Sequence, residues 1–285
     1  MKCYLCQSTA FNIRKGKVRD APDLQILECV DCGLVSLSMI DHIQPGFYEE
    51  SGMHGELPLP MDVWLKETSR DDQRRFDMLK SILPNKKLLE FGCGAGGFLT
   101  KAQSLADSVA GIELERRVLN HWEGVMTIYP DVESAGSAGR YDLIAAFHVI
   151  EHLPDPVSVL KLLSNMLTDK GRMVIEVPSS DDALLSLYDS DAFQNFSYWN
   201  QHLYLFNAET LRRLVGRAGL RIIAIQQHQR YSLSNHVYWL SQCKPGGHQQ
   251  WSFLDSPELN SAYAHSLAAI GKCDTLIAHI EKVDS

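Results

Sequence analysis

The six residues Gly92-Cys93-Gly94-Ala95-Gly96-Gly97, entered directly from Leu88-Leu89-Glu90-Phe91, restrict this chain more than any other feature. An apolar strand that ends in clustered glycines and passes into a helix must bend sharply, and a Cβ there would keep a ligand away from the backbone. In open parallel sheets, that end of the strand is where ligands bind.

The alternation continues downstream. Strands are predicted over Lys87 to Phe91, Val109 to Glu113, Val125 to Tyr129, Tyr141 to Phe147, Arg172 to Val177 and Leu220 to Gln226. Helical spacing occupies Asp62 to Leu83, Gly97 to Ala106, the stretch up to Trp122, Val157 to Leu167 and Ala208 to Ala218. Lys170-Gly171 reads as the turn into the fifth strand. Strands alternating with helices of this size predict an α/β fold, doubly wound, with a mainly parallel sheet covered on both faces.

Two acidic positions bracket the loop. Glu90 precedes the first glycine by two residues, and Glu113 ends the second strand 21 residues after Gly92, where a carboxylate can accept hydrogen bonds from ribose hydroxyls. Gly92, Gly94 and Gly97 also satisfy the dinucleotide spacing G-x-G-x-x-G, so a nicotinamide-dependent oxidoreductase is a competing reading. Glu90 and the extra glycine at 96 favour S-adenosylmethionine.

On these residues the chain resembles the class I S-adenosylmethionine-dependent methyltransferases. Leu89 to Gly96 is similar to their first motif, Gly111-Ile112-Glu113 to their second, and Tyr141 to Ile144 with Val149-Ile150-Glu151-His152-Leu153 to their fourth-strand motif. Lys170 to Ile175 is similar to the entry of their fifth strand. The resemblance covers residues 85 to 226 in order and implies a seven-stranded, Rossmann-like sheet. It implies that Gly92 and Gly94 line the methionine part of the cofactor with Glu90 at its base, and that Glu113 holds the ribose. Asp131 is the nearest candidate for the adenine, and Phe147 and His148 would border the cofactor and face the acceptor.

The N-terminal 45 residues carry Cys3-x-x-Cys6 and Cys29-x-x-Cys32-Gly33 around short β-like runs. Two such pairs can present four thiolates tetrahedrally to Zn²⁺, with no open coordination position for catalysis. Iron with the same ligands is the alternative. The odd total of seven cysteines points to reduced thiols rather than a disulfide scaffold. A zinc ribbon ahead of such a core resembles a group that includes sugar C-methyltransferases of nucleotide-sugar pathways. Those chains carry a large further C-terminal domain, where this one has only about 55 residues after the core.

The expected organisation is a zinc ribbon over 1–45, a linker and capping helix over 46–84, a core over 85–230 with an insertion near 178–207, and a helical extension over 231–285. Gln44 to Pro60 reads as a linker or mobile cover. If the acceptor reacts through a hydroxyl or an acidic carbon, a base must take its proton, and His148, His152 and His202 are the candidates. Against this stand structural roles: Glu151-His152 orienting the loop before Pro154, and His202 bonding backbone. Phe193, Phe196, Tyr198, Trp199 and Tyr204 form an aromatic run that could stack on a ring or pack the insertion onto the core.

The acceptor is expected to be a small molecule, a sugar or nucleotide-sugar first and a quinone- or lipid-like hydroxyl second. A zinc-ribbon binding module with an idle fold is a further reading. The net charge of −8 argues against nucleic acid, and no stretch is apolar enough to span a membrane. A cytoplasmic protein is expected, with the tail as a candidate homodimer contact.

Overall fold

Three short strands, β1 (Phe11–Ile13), β2 (Ile26–Cys29) and β3 (Val35–Leu37), pair antiparallel in that order; Cys3 and Cys6 lie in the turn before β1, and Cys29 and Cys32 at the β2–β3 connection. The computed structural model describes residues 1–43, 46–49 and 58–283. Most of the expected cover, Gln44 to Pro60, therefore lies outside the described residues.

Helix α1 (Met61–Leu79) leads into the alternating region. There follow β4 (Lys87–Phe91), α2 (Gly97–Ala102), β5 (Ser108–Ile112), α3 (Arg116–Trp122), β6 (Thr127–Tyr129), α4 (Val132–Ala138) and β7 (Tyr141–Phe147). A 3-10 turn over Ile150–His152 precedes α5 (Pro156–Asn165), which starts with proline at its first turn and with Asp155 accepting the Ser158 N–H. Strand β8 (Leu167–Pro178) is longer than predicted. Its register slips against β7 between Leu167 and Arg172, so Lys170-Gly171 lies in a bulge rather than a turn.

The insertion holds α6 (Ala183–Ser186), α7 (Asp191–Ser197) and β9 (Tyr204–Leu205). Helix α8 (Ala208–Arg217) opens with a capping box in which Asn207 and Thr210 satisfy each other's backbone N–H, and it leads into β10 (Leu220–His228).

The expected helical extension needs one correction. It contains α9 (Leu233–Gln242), α10 (Gly247–Gln250) and α11 (Pro257–Ala269), but it ends in β11 (Thr275–Lys282). That strand inserts antiparallel between β8 and β10. Its residues are buried on both faces, so it shows no clean alternation by which periodicity could separate strand from helix.

The large sheet has seven strands in the order β10-β11-β8-β7-β4-β5-β6. Every pairing from β8 to β6 is parallel, and the chain leaves β4 first toward β5 and later reaches β7 on the other side. Consecutive residues of the central strands feed two cores. Leu89, Ile144 and Ala146 face one; Leu88, Leu143, Ala145 and Phe147 face the other. Each fully buried leucine there contributes roughly 2 kcal/mol. Burial on both faces explains why these strands read as unbroken apolar runs. The switch between β4 and β7 opens a crevice at the carboxyl ends of the strands.

The second sheet is not confined to the N-terminal unit. Its order is β1-β2-β3-β9, so its last strand comes from the insertion. Among the described residues, no helix is long and apolar enough to cross a membrane.

Candidate active site

A cavity of about 450 Å³ occupies the crevice, walled by the glycine loop, the ends of β5 and β7, and the side of α1. Gly92 adopts φ +68, and a Cβ on it would come within 2.5 Å of the Val149 side chain, so only glycine closes this turn. The Gly94 N–H donates to Glu113 Oε2 at 2.8 Å, while the Leu114 and Glu115 N–H groups donate to Oε1 at 2.8 and 3.1 Å. Glu113 is thus held at the rim of the cavity. Burial pushes its carboxyl up, against the pull of those N–H groups.

Glu90 is buried on the cavity wall, and among the described residues its Oε2 has no hydrogen-bond partner. Burial pushes it well above the usual carboxylate range. A lone carboxylate oxygen in this position would be satisfied by an ammonium group. Asp71, Asp72 and Glu115 line the same cavity, and the Asp72 carboxylate packs against Gly97, the first residue of α2. A pyrophosphate needs that helix start free of negative charge. Asp71 and Glu115 are paired with Arg230 and Arg117. Glu90 and the Asp72 carboxylate at the helix start are therefore the groups that fit a cationic ligand and disfavour the dinucleotide reading of the glycine spacing. Asp131 does not line this cavity; it caps α4 by accepting the Ser134 N–H at 2.7 Å.

His148, His152 and His202 meet just beyond β7, with Phe147 and His148 on the cavity wall. His148 is in the left-handed region at φ +54, which turns its ring back into the protein. Its Nδ1 lies 3.2 Å from Glu151 Oε1 and its Nε2 3.2 Å from Glu176 Oε1. Burial and the nearby Arg230 would lower its pKa, but the two carboxylates carry it above the ordinary histidine value. Both ring nitrogens are committed and the charged form is favoured, so His148 is unsuited to accept a proton. Burial opposes ionisation of Glu151, yet His148 and the other histidines hold it down at about 2. Glu176 is likewise held far below its usual range by His148, Arg75 and Arg74.

The Nδ1 of His152 donates to the Gln201 carbonyl at 2.8 Å, and the Leu203 N–H donates to the Glu151 carbonyl at 2.9 Å. These bonds tie the insertion to the turn after β7. His202 keeps its ring nitrogens free of hydrogen bonds among the described residues, and burial with the neighbouring His152 pulls it down to about 3. Glu151, His152 and His202 place ligand atoms within 4.8 Å of one another, close enough to share a cation.

Several residues of the site carried no signal in the sequence. Asp71, Asp72, Arg74 and Arg75 stand in a charged run that reads as a solvated helix face. Instead Arg74 and Arg75 donate to Glu176 at 2.8 and 2.9 Å, and Arg75 covers the Phe147 ring. Arg230, just after β10, pairs with Asp71 and approaches His148 Nε2 at 3.2 Å.

A second cavity, about 300 Å³, adjoins the first through His148, Trp199, His202 and Arg230, which line both. Its remaining walls include Phe193, Phe196, Tyr231 and Trp239.

The four cysteines lie away from both cavities. Cys3 and Cys32 sulfurs are 3.5 Å apart, as are those of Cys6 and Cys29, and all four lie within 4.8 Å. That separation exceeds the ~2.05 Å of a disulfide and approaches the spacing of thiolates around one metal with ~2.3 Å bonds. Burial opposes it, but N–H groups of Cys32 and Asp31 and the Cys6 thiol bring Cys29 down to about 7. Gly33, at φ +77, donates its N–H back to the Cys29 carbonyl and closes the knuckle.

A methyltransferase-domain family model matches residues 67–225. The ubiquinone biosynthesis O-methyltransferase of Burkholderia pseudomallei (strain 1710b) is 25% identical over 186 residues, spanning 58% of this chain and 80% of the relative. Its namesake in Bordetella parapertussis is 31% identical over 133 residues, spanning 43% and 49%. Among solved structures, a SAM dependent methyltransferase from Archaeoglobus fulgidus superposes with a TM-score of 0.50 at 17% identity, covering 81% of this chain and 99% of that one.

Proposed function

The chain belongs to the methyltransferase-domain family, and from that premise we propose that it moves a methyl group from S-adenosylmethionine to a hydroxyl of a small ring-shaped acceptor. The observation that carries this reading is the second cavity, aromatic-walled and continuous with the first. Phe193 and Phe196 pack on Trp239 to form an aromatic wall along which a flat ring can lie, and Trp199 stands at the junction. The names of the curated relatives support an oxygen acceptor on a quinone-like ring over the sugar that the zinc-ribbon resemblance suggested.

Glu90, Gly92, Gly94 and Glu113 would hold the cofactor, which supplies a methyl group already bound to a sulfonium. The cleft then has to position the acceptor, exclude water and receive one proton. His202 is kept neutral by its surroundings and offers a lone pair at the junction of the two cavities. At about 3 it is a weak base that gains proton affinity only as the acceptor oxygen gives up its proton to it beside Glu151. Glu151, whose Oε2 has no partner among the described residues, stands behind it to stabilise the imidazolium that forms. His148, charged and clamped between Glu151 and Glu176, shapes the floor. The four cysteines would hold a structural Zn²⁺.

Release of S-adenosylhomocysteine from the cofactor tests the reading with catechol-type rings against nucleotide-sugars. Transfer to the rings and not the sugars is expected; binding of NADH without S-adenosylhomocysteine would sink it. His202→Ala should lose about 10²–10⁴-fold in single-turnover rate with unchanged affinity for S-adenosylhomocysteine. A loss under about tenfold removes His202 as the base.

A further inference from the structure

The second cavity is also bounded by a residue of the cysteine unit, Arg19. Its guanidinium stands 5.0 Å from the ring centres of both Phe196 and Trp199, and its Nη1 donates to the Phe196 carbonyl at 3.5 Å. Among the described residues no carboxylate pairs with it. Arg19 is exposed at the mouth of the cavity, so cation–π contacts and one long bond to a carbonyl fix its guanidinium while leaving its N–H groups to solvent or to an incoming anion. Arg230, the other arginine of this cavity, is neutralised by Asp71.

Neither carboxyl group lining the cavity is available to Arg19. Asp274 accepts the N–H groups of Arg230 and Tyr231 and the Gln229 amide. Asp182 accepts the Leu184 N–H, and burial beside Asp274 pushes it up to about 8, so it stays protonated at neutral pH.

The backbone that presents Arg19 is anchored to the same wall. The Arg19 N–H donates to the Tyr198 carbonyl at 3.0 Å, and the Asn200 N–H donates to Asp20 Oδ1 at 2.9 Å. The charge is thus held beside Trp199 and His202, on the acceptor side of the junction.

We propose that Arg19 recognises an anionic group, a carboxylate or a phosphate, on the acceptor. The cysteine unit then forms part of the acceptor pocket. Arg19 is a specificity residue: a bidentate guanidinium–oxyanion contact beside Trp199 fixes which ring edge lies against the neighbouring His202. The proposal rests on the methyl-transfer reading.

The test is calorimetry on full-length protein saturated with S-adenosylhomocysteine. The probes are 3,4-dihydroxybenzoate, phenyl phosphate and the neutral ring catechol. One or both anions should bind about tenfold tighter than catechol, and the anion so favoured names the group. Arg19→Gln should shrink that preference to about twofold while leaving catechol unchanged, and Arg19→Lys should restore part of it. The preference should also weaken with added salt.

Equal binding of the anions and catechol by the native protein overturns the proposal. So does a preference that survives in Arg19→Gln, or a loss shared equally by catechol, which would mark Arg19 as merely structural. Failure of the underlying reading looks different: S-adenosylhomocysteine itself would not bind, whereas failure of the Arg19 assignment leaves its binding intact.

Discussion

The cavity at the glycine loop and the aromatic-walled cavity beside it share four residues but are assembled on different plans. The first draws its defining groups from a short stretch, Glu90 to Glu113, rigidly seated on parallel strands whose residues are buried on both faces. The second draws on segments far apart in the chain: Arg19, His148, the insertion around Phe193 to His202, and Arg230 to His248. A short rigid unit can be recognised from local residues. The second cavity gains its Arg19 wall from the cysteine unit, which shares a sheet with the insertion through β3 and β9.

Removing the metal should separate the two most widely. If the four thiolates hold Zn²⁺, chelation or Cys29→Ser releases β2 and β3, which pin β9 and the loop bearing Trp199 and His202. Methyl transfer should fall by at least about 10²-fold, with S-adenosylhomocysteine affinity within about threefold of native. Parallel loss of both activities would show that the cavities are not independent.

Glu176→Gln should strike the boundary between them. That carboxylate is fully buried and takes bonds from Arg74 and Arg75 beside His148. Leaving these cations without their partner should cost about 3–5 kcal/mol, read from the urea midpoint. A change under about 1 kcal/mol would mean the cluster is well solvated.

Gly92→Ala should act on the cofactor side alone. A left-handed alanine pressed onto Val149 is expected to cost about 1–3 kcal/mol locally, hence roughly ten- to hundredfold in S-adenosylhomocysteine affinity. Catechol binding, measured at saturating S-adenosylhomocysteine, should not move.

The smallest effect concerns pH. His202 has its pKa lowered to about 3 in the folded chain, so folding disfavours its proton. Its contribution to stability is complete above the unfolded value near 6.5 and shrinks as pH falls toward 3. Replacing it with Asn should flatten the acid side of the unfolding-temperature curve in that window. An unchanged slope would place His202 in water rather than in the buried cluster.

Much of the fold was legible from residues 85–226, because strands buried on both faces and a glycine turn leave strong local patterns. The cysteine pairs were equally plain, since ligand spacing is a local property. Three things were not legible. Thr275–Lys282 looked no different from a buried helical segment, and only pairing with β8 and β10 makes it a strand. The Asp71-to-Arg75 run resembled a solvated face until the fold turned it onto the cavity. His148, His152 and His202 all suited proton transfer by type, but their partners separate them: two carboxylates charge His148, a carbonyl holds His152, and among the described residues nothing engages the ring nitrogens of His202.

The amino-acid order alone determined the parallel sheet, the glycine loop with its acidic flanks and the four-thiol cluster, since each depends on neighbours within a few residues or on a fixed ligand spacing. Tertiary structure decided what those parts enclose. Packing α1 over the loop set the Asp72 carboxylate against the start of α2 and so disfavoured a pyrophosphate there. Pairing β9 with β3 brought Arg19 against Trp199 and closed the second cavity. Charge, protonation and shape at a site depend on distances between groups remote in the chain, and only the folded molecule sets those distances.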